Sequence, residues 1–225
     1  MAVRGSFGSW LGSENTIYTL GSGVFMKKIH DYYFLKAKKE NYPARSVYKL
    51  KEIDKKFHIF TKGQKVLDLG ATPGSWTLGA AERVGSEGRI ISADINDTEV
   101  GFPPQVTFLV QDVFNRSPEF EALLKETGPF DVVMSDMAPK TTGHKGTDQA
   151  RSAALYEEAL WVAVQHLGVG GSFIVKVFMG PDTQAFAQTM RTYFTSVKSF
   201  KPKSTRSESV EIFYIGLGFK GATDE

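Results

Sequence analysis

The chain has 225 residues, 41% of them hydrophobic and 23% charged, with 27 Lys and Arg against 25 Asp and Glu. That length supports one substantial core and no more than two small ones, so a single domain is the first expectation. The absence of cysteine removes disulfides, thiolate catalysis and Cys-based zinc sites, the four histidines lack paired spacing for a metal, and no apolar run approaches the roughly 20 residues a membrane span requires.

Residues 1–25 are rich in Gly and Ser, carry Trp10, Ile17 and Tyr18 without steady periodicity, and stop just before Met26-Lys27-Lys28. They read as a flexible leader or a remnant of expression, with a small docking arm as the rival reading. No basic region followed by an apolar stretch opens the chain, so the expectation is a cytoplasmic protein without an export signal. Residues 26–222 then form one domain.

From Asp31 to Phe57 two helical patterns appear, punctuated by Pro43; the second places Val47, Leu50, Ile53 and Phe57 at spacings of three and four. The same region, about residues 27–60, concentrates Lys27, Lys28, Lys36, Lys38, Lys39, Arg45, Lys49 and Lys51, interleaved with Tyr32, Tyr33, Phe34, Tyr42 and Tyr48. Cations can track a phosphate backbone while rings stack on exposed bases, which favours RNA; a solvated helix face is the plainer alternative.

After Gly63 short apolar strands alternate with helical stretches. Strands are predicted at Lys65–Leu69, Arg89–Ala93, Val106–Val110, Phe130–Ser135 and Ser172–Phe178, with helices near Ser75–Val84, Glu119–Glu126, Asp148–Leu167 and Thr183–Phe194. This alternation implies an α/β fold with a doubly wound, mostly parallel sheet. Ser196–Phe200 and Val210–Leu217 read as a closing strand pair that gives the sheet an antiparallel edge.

The first strand ends in Asp68-Leu69-Gly70-Ala71-Thr72-Pro73-Gly74-Ser75-Trp76, where an open α/β sheet binds its ligand. The second glycine of a dinucleotide fingerprint is replaced by Thr72, Pro73 intrudes, and no P-loop string occurs, so a nucleotide-dependent oxidoreductase is disfavoured. The turn suits a ligand with a nucleoside and an amino-acid arm but no phosphate. Gly70 and Gly74 admit close backbone, Asp68 can receive an ammonium group, Asp94 can accept from two ribose hydroxyls, and Asp112 from an adenine amino group. Each acid alone is as readily a cap or a turn former; three on successive strand ends, beside a glycine turn, point to a site.

These residues resemble a known family. Asp68–Trp76, Met134-Ser135-Asp136-Met137-Ala138-Pro139, Gly170–Phe178, and Lys201-Pro202-Lys203-Ser204-Thr205-Arg206 through Glu211 together resemble the FtsJ/RrmJ family of large-subunit (23S) ribosomal RNA uridine 2′-O-methyltransferases, over about Lys27 to Lys220. The resemblance implies a Rossmann-like methyltransferase that uses S-adenosyl-L-methionine, with cofactor contacts at Gly74, Trp76, Asp94, Asp112 and Asp136. It also implies a catalytic tetrad of Lys49, Asp136, Lys176 and Glu211 around the target ribose. Where the family commonly reads Ala-Pro-Gly-Gly this chain has Thr72-Pro73-Gly74-Ser75, which adds a side chain near the methionine arm.

A 2′-hydroxyl is a poor nucleophile until it loses its proton, so alignment and a positioned base are what such an enzyme must supply. Lys176, at the end of a central buried strand, is either that base or a retained ammonium that stabilises the developing oxyanion. His144, in a loop after Pro139, reads as a loop or surface residue. The expected partner is RNA rather than DNA or membrane: a uridine in the A loop of 23S rRNA within the 50S subunit, met by a monomer. A transfer-RNA ribose, or an inactive RNA-binding or ribosome assembly factor, are the alternatives.

Overall fold

The computed structural model describes residues 32–221; the leader at 1–25, together with Lys27 and Lys28, lies outside the described residues. Helix α1 covers residues 32–39. It is followed by α2 (Val47–Phe57), β1 (Lys65–Leu69), α3 (Ser75–Val84), β2 (Arg89–Asp94), β3 (Val106–Val110), α4 (Pro118–Thr127), β4 (Phe130–Ser135), α5 (Lys145–His166), β5 (Leu167–Phe178), α6 (Thr183–Tyr193), β6 (Phe194–Phe200) and β7 (Glu211–Phe219).

One seven-stranded sheet runs in the order β3-β2-β1-β4-β5-β7-β6. β1 pairs in parallel with both β2 and β4, so the strand order reverses between β1 and β4, where an open α/β sheet leaves a crevice beyond its strand ends. β7 is antiparallel to both β5 and β6. The antiparallel pairing thus falls at the predicted side of the sheet, but β7 lies one strand in and β6 forms the edge. This insertion carries the first residue of β7, Glu211, to Phe178 at the end of β5.

Alternation along the strands divides the core into two layers. Leu67, Leu69, Val133, Phe173, Val175 and Val177 face α4, α5 and α6, where they meet Phe120, Tyr156 and Met190. Val66, Val132, Met134, Ile174, Phe213 and Ile215 face the other way, against Leu50 and Ile53 of α2 and Trp76 of α3. Because side chains alternate with period two, Asp68 and Lys176 continue the rows of Val66 and Ile174 and belong to the α2/α3 face.

Local chemistry sets the element ends. Ser117 caps α4 by accepting from Phe120 N at 3.2 Å, with Pro118 at the first helical position. α5 begins three residues before the expected Asp148, because that carboxylate sits inside the first turn and reaches back to Thr142 N (2.7 Å) and Gly143 N (3.2 Å). β5 begins five residues before Ser172; glycines at 168, 170 and 171 mask its strand pattern in the sequence.

Candidate active site

The segments that follow β1, β2, β3 and β4 enclose a cavity of about 600 Å³ at the crevice. Gly70, Thr72 and Pro73 come from the first, Asp94, Ile95 and Asn96 from the second, Gln111 to Phe114 from the third, and Asp136, Met137 and Ala138 from the fourth, with Lys176 of β5 beside them. Gly70 has φ +78°, and a Cβ there would lie 2.4 Å from Met137 Cγ, so only glycine lets the first segment approach the fourth this closely.

Asp94 and Asp112 are held by their own loops. Asp94 Oδ2 accepts from Thr72 N at 3.0 Å and its Oδ1 from Asn96 N at 2.8 Å; Asp112 Oδ1 accepts from Phe114 N at 3.0 Å. A carboxylate has about four lone-pair sites, so both keep acceptor capacity toward the cavity. The exposed rings and branches of Phe114 and Ile95 add apolar walls that the sequence reading missed; both directly follow strand-end acids, which was the available signal.

Beside this cavity, on the α2/α3 face, stand two ion pairs. Lys176 Nζ lies 3.0 Å from Asp136 Oδ1 and donates its hydrogen bond to the Asp136 main-chain carbonyl. Lys49, from the first turn of α2, pairs with Glu211. Register brings the pairs together: Lys176 is opposite Phe213, two residues from Glu211 on the same face, and the Lys49 ammonium lies 5.9 Å from the Phe213 ring. Lys176 and Glu211 are buried, Lys49 and Asp136 nearly so. All four residues of the expected tetrad therefore meet at one end of the sheet, while Asp68, Gly74 and Trp76 do not line the cavity.

Trp76 is 2% exposed, packs against Phe213 with ring centroids 5.5 Å apart, and donates Nε1–H to Ser46 O at 3.0 Å. Its indole is a core group of the α2/α3 face. Gly74 precedes the first turn of α3 at φ +105°, under Phe102. Ser75 is turned away from the cavity: its hydroxyl accepts from Ala44 N at 2.7 Å and donates to Ala44 O at 3.0 Å. The departure from the Gly-Gly pattern thus ties α3 to the α1–α2 connection instead of crowding the ligand turn.

Asp68 is fully buried behind the turn, with Oδ2 accepting from Thr77 Oγ1 at 2.6 Å and Oδ1 lacking a hydrogen bond. Burial, partly offset by the Thr77 hydroxyl and reinforced by the charges of Asp136 and Asp94, pushes its carboxyl from 3.8 up to about 7. Between those values the unfolded chain releases a proton that the folded chain keeps. The stabilisation by this group is therefore complete below pH 3.8 and is lost as pH rises to about 7. Asp68→Asn removes the titration, so the stability of the wild type relative to Asp68→Asn is expected to decline from pH 5 to pH 8 in urea denaturation; a constant difference would refute it.

The cationic N-terminal region divides in two. Tyr32 and Phe34 are exposed on α1, but Tyr42 and Tyr48 are buried, contrary to the expectation that they stack on bases. The Tyr42 hydroxyl donates to Glu82 and that of Tyr48 to Glu40. Lys51 lies 4.4 Å from the Tyr42 ring and Lys36 4.9 Å from the Tyr48 ring, so these lysines cover the tyrosines. Burial of an aromatic body with a satisfied hydroxyl outweighs its exposure, and sequence spacing does not encode which rings find such partners.

Among the described residues no helix is long and apolar enough to cross a membrane. The FtsJ-like methyltransferase family model matches residues 42–219, which span the cavity and both ion pairs. The chain is 71% identical over 196 residues to the ribosomal RNA large subunit methyltransferase E of Oleidesulfovibrio alaskensis, covering 87% of this chain and 95% of that protein. It is 46% identical over 193 residues to the protein of the same name from Treponema denticola, covering 85% and 96%. A solved ribosomal RNA methyltransferase from Plasmodium falciparum matches 80% of this chain and 100% of its own with a TM-score of 0.69 at 28% identity. The fibrillarin/Nop5p complex, at 19% identity and a TM-score of 0.53 over 76% of this chain and 81% of that one, shares the fold alone. With the family pattern matched across the crevice and its flanking ion pairs, the chain belongs to the FtsJ-like methyltransferase family.

Proposed function

We propose that this protein methylates a ribose 2′-hydroxyl of ribosomal RNA with S-adenosyl-L-methionine, its target a uridine in the A loop of 23S rRNA within the 50S subunit. The observation that carries this reading is the meeting of Lys176–Asp136 and Lys49–Glu211 beside an acid-lined cavity. The names of the curated relatives, ribosomal RNA large subunit methyltransferase E, support the substrate class.

The chemistry of the cavity fits this cofactor. Its lining carries three carboxylates, Asp94, Asp112 and Asp136, against one lysine already paired, with apolar Ile95, Val113, Phe114 and Met137 between them. Such a lining favours a cation, hydroxyls and an amine over a pyrophosphate, which calls for converging N–H groups and positive charge. S-adenosylmethionine, when bound, supplies an electrophilic methyl group on a cationic sulfonium. Asp94 would hold the ribose hydroxyls, Asp112 the adenine amino group, and Phe114 and Ile95 would supply apolar contact to the base.

The residues of the tetrad act on the substrate hydroxyl. Lys176 Nζ holds the 2′-oxygen and either takes its proton or, as an ammonium, stabilises the negative charge that forms when the proton leaves. Asp136 orients Lys176 through both its carboxylate and its carbonyl. Glu211 orients Lys49, which fixes the ribose from the α2 side. Holding oxygen and methyl near 3–3.5 Å can supply a large part of the roughly 7–11 kcal/mol available from orientation.

The test is transfer of labelled methyl to 50S subunits, naked 23S rRNA and bulk tRNA from unmethylated cells, with products mapped by methylation-sensitive primer extension. Label at an A-loop uridine of 50S subunits is expected. Label on tRNA alone would move the substrate to transfer RNA, and no label despite cofactor binding would leave an inactive RNA-binding factor.

A further inference from the structure

We propose that Glu52 is a positioning residue that locks the β6–β7 connection so that Glu211 meets Lys49; the proposal rests on the 2′-O-methyltransferase reading above. Arg45, just before α2, and Lys49 and Glu52 within it are spaced four and three apart, which puts them on one helical face. Arg45 and Glu52 reach the same connection, and Lys49 reaches the first residue of β7 beyond it. Arg45 donates to Ser204 O at 2.6 Å, Lys49 pairs with Glu211, and the Glu52 carboxylate accepts from Lys203 N at 2.6 Å and Ser204 N at 2.9 Å.

A carboxylate that receives two backbone N–H groups, one on each oxygen, fixes both the position and the orientation of the peptide it holds. Ser204 is 1% exposed, so water cannot readily take over its N–H if Glu52 is removed. From that anchor a run of short bonds leads to the ion pair. Thr205 N donates to Pro202 O at 3.0 Å, Ser209 N to Arg206 O at 3.1 Å, and Glu211 N to Ser209 Oγ at 3.2 Å. Lys201 Nζ closes the connection on Ser209 O at 2.8 Å, and Met179 N on Val210 O at 3.0 Å. Residues 201–209 form no helix or ladder that would hold its own shape, and Glu211 stands only on the terminal rung of β7, opposite Phe178, so the carboxylate that pins the first half of the connection steadies that end rung and with it the Glu211 side chain. Glu52 itself is absent from the cavity lining, so its removal leaves the cofactor's own contacts in place.

The experiment uses the full chain and compares Glu52→Ala, and Glu52→Gln which keeps one acceptor, with the wild type. It reads single-turnover methyl transfer at saturating 50S subunits, the cofactor Kd by calorimetry, and amide hydrogen exchange over residues 201–211 without RNA or cofactor. Glu52→Ala is expected to slow transfer by about tenfold or more, to speed exchange at 203–211 but not in β1 or β4, and to leave Kd within about twofold, with Glu52→Gln in between. A transfer rate within twofold of the wild type, unchanged exchange over 203–211, or a Kd that weakens in step with the rate would each overturn the proposal. If the wild type transfers methyl to no RNA, the functional reading fails by itself, while the exchange experiment still reports whether Glu52 locks the connection.

Discussion

Lys176→Met is expected to lower single-turnover methyl transfer by on the order of 10²–10⁴-fold while cofactor affinity stays within about threefold, the range set by removal of one positioned proton-handling or charge-stabilising group. Lys176 Nζ contacts Asp136 through both the carboxylate and the main-chain carbonyl, and Lys176 lines the cavity at its boundary with the Lys49–Glu211 pair. Methionine keeps the apolar stem up to the position of Cε but neither donor nor charge, so the loss isolates the amine. The substitution also leaves Asp136 without its cation. Since the Asp136 side chain retains 17% exposure, its cost falls below the roughly 3–5 kcal/mol of breaking a fully buried pair. Thermal unfolding alongside the transfer assay separates the two effects. Wild-type turnover by a folded Lys176→Met enzyme would sink its assignment both as base and as oxyanion stabiliser.

Gly70→Ala should be the most damaging single-methyl change at the site, destabilising by about 2–5 kcal/mol from a left-handed backbone combined with overpacking. An added Cβ would lie 2.4 Å from Met137 Cγ and 3.0 Å from both Met137 N and Cα. The side chain could rotate, but the backbone atoms could move only with the segment after β4, which also carries Asp136. Cofactor affinity should therefore fall together with stability. Gly63→Ala supplies the control: φ is +82° there, yet nothing lies within 4 Å of the new Cβ. The difference between the two variants in denaturant unfolding measures the clash alone. Equal costs would show that the two ligand loops are not packed as tightly as described.

The periodicity of the chain made most of the fold legible. β1, β3 and β4 begin and end where predicted: β1 and β4 are buried parallel strands, which need near-continuous hydrophobic residues, β3 is a partly exposed edge strand that keeps its apolar run, and the alternation with helices implies the doubly wound sheet. Asp94 and Asp112 were legible as cavity residues for the same reason: strand ends at the switch point of such a sheet converge on one crevice. The start of α5 and the first half of β5 were not, because Asp148 caps from inside its helix and three glycines interrupt the apolar pattern.

The sequence by itself determined the element order, the strand-end acids and the family motifs, because these depend on local periodicity and on residues close along the chain. The tertiary structure decided which polar groups find one another across it. It pairs Lys49 with Glu211 by inserting β7 between β5 and β6, turns Ser75 onto Ala44, buries the Trp76 indole against Phe213, and joins Glu52 to a loop 151 residues away. Each of these rests on a balance between the cost of removing a polar group from water and the partner that offsets it. Only the packed chain supplies those partners, so residue type and spacing cannot specify them.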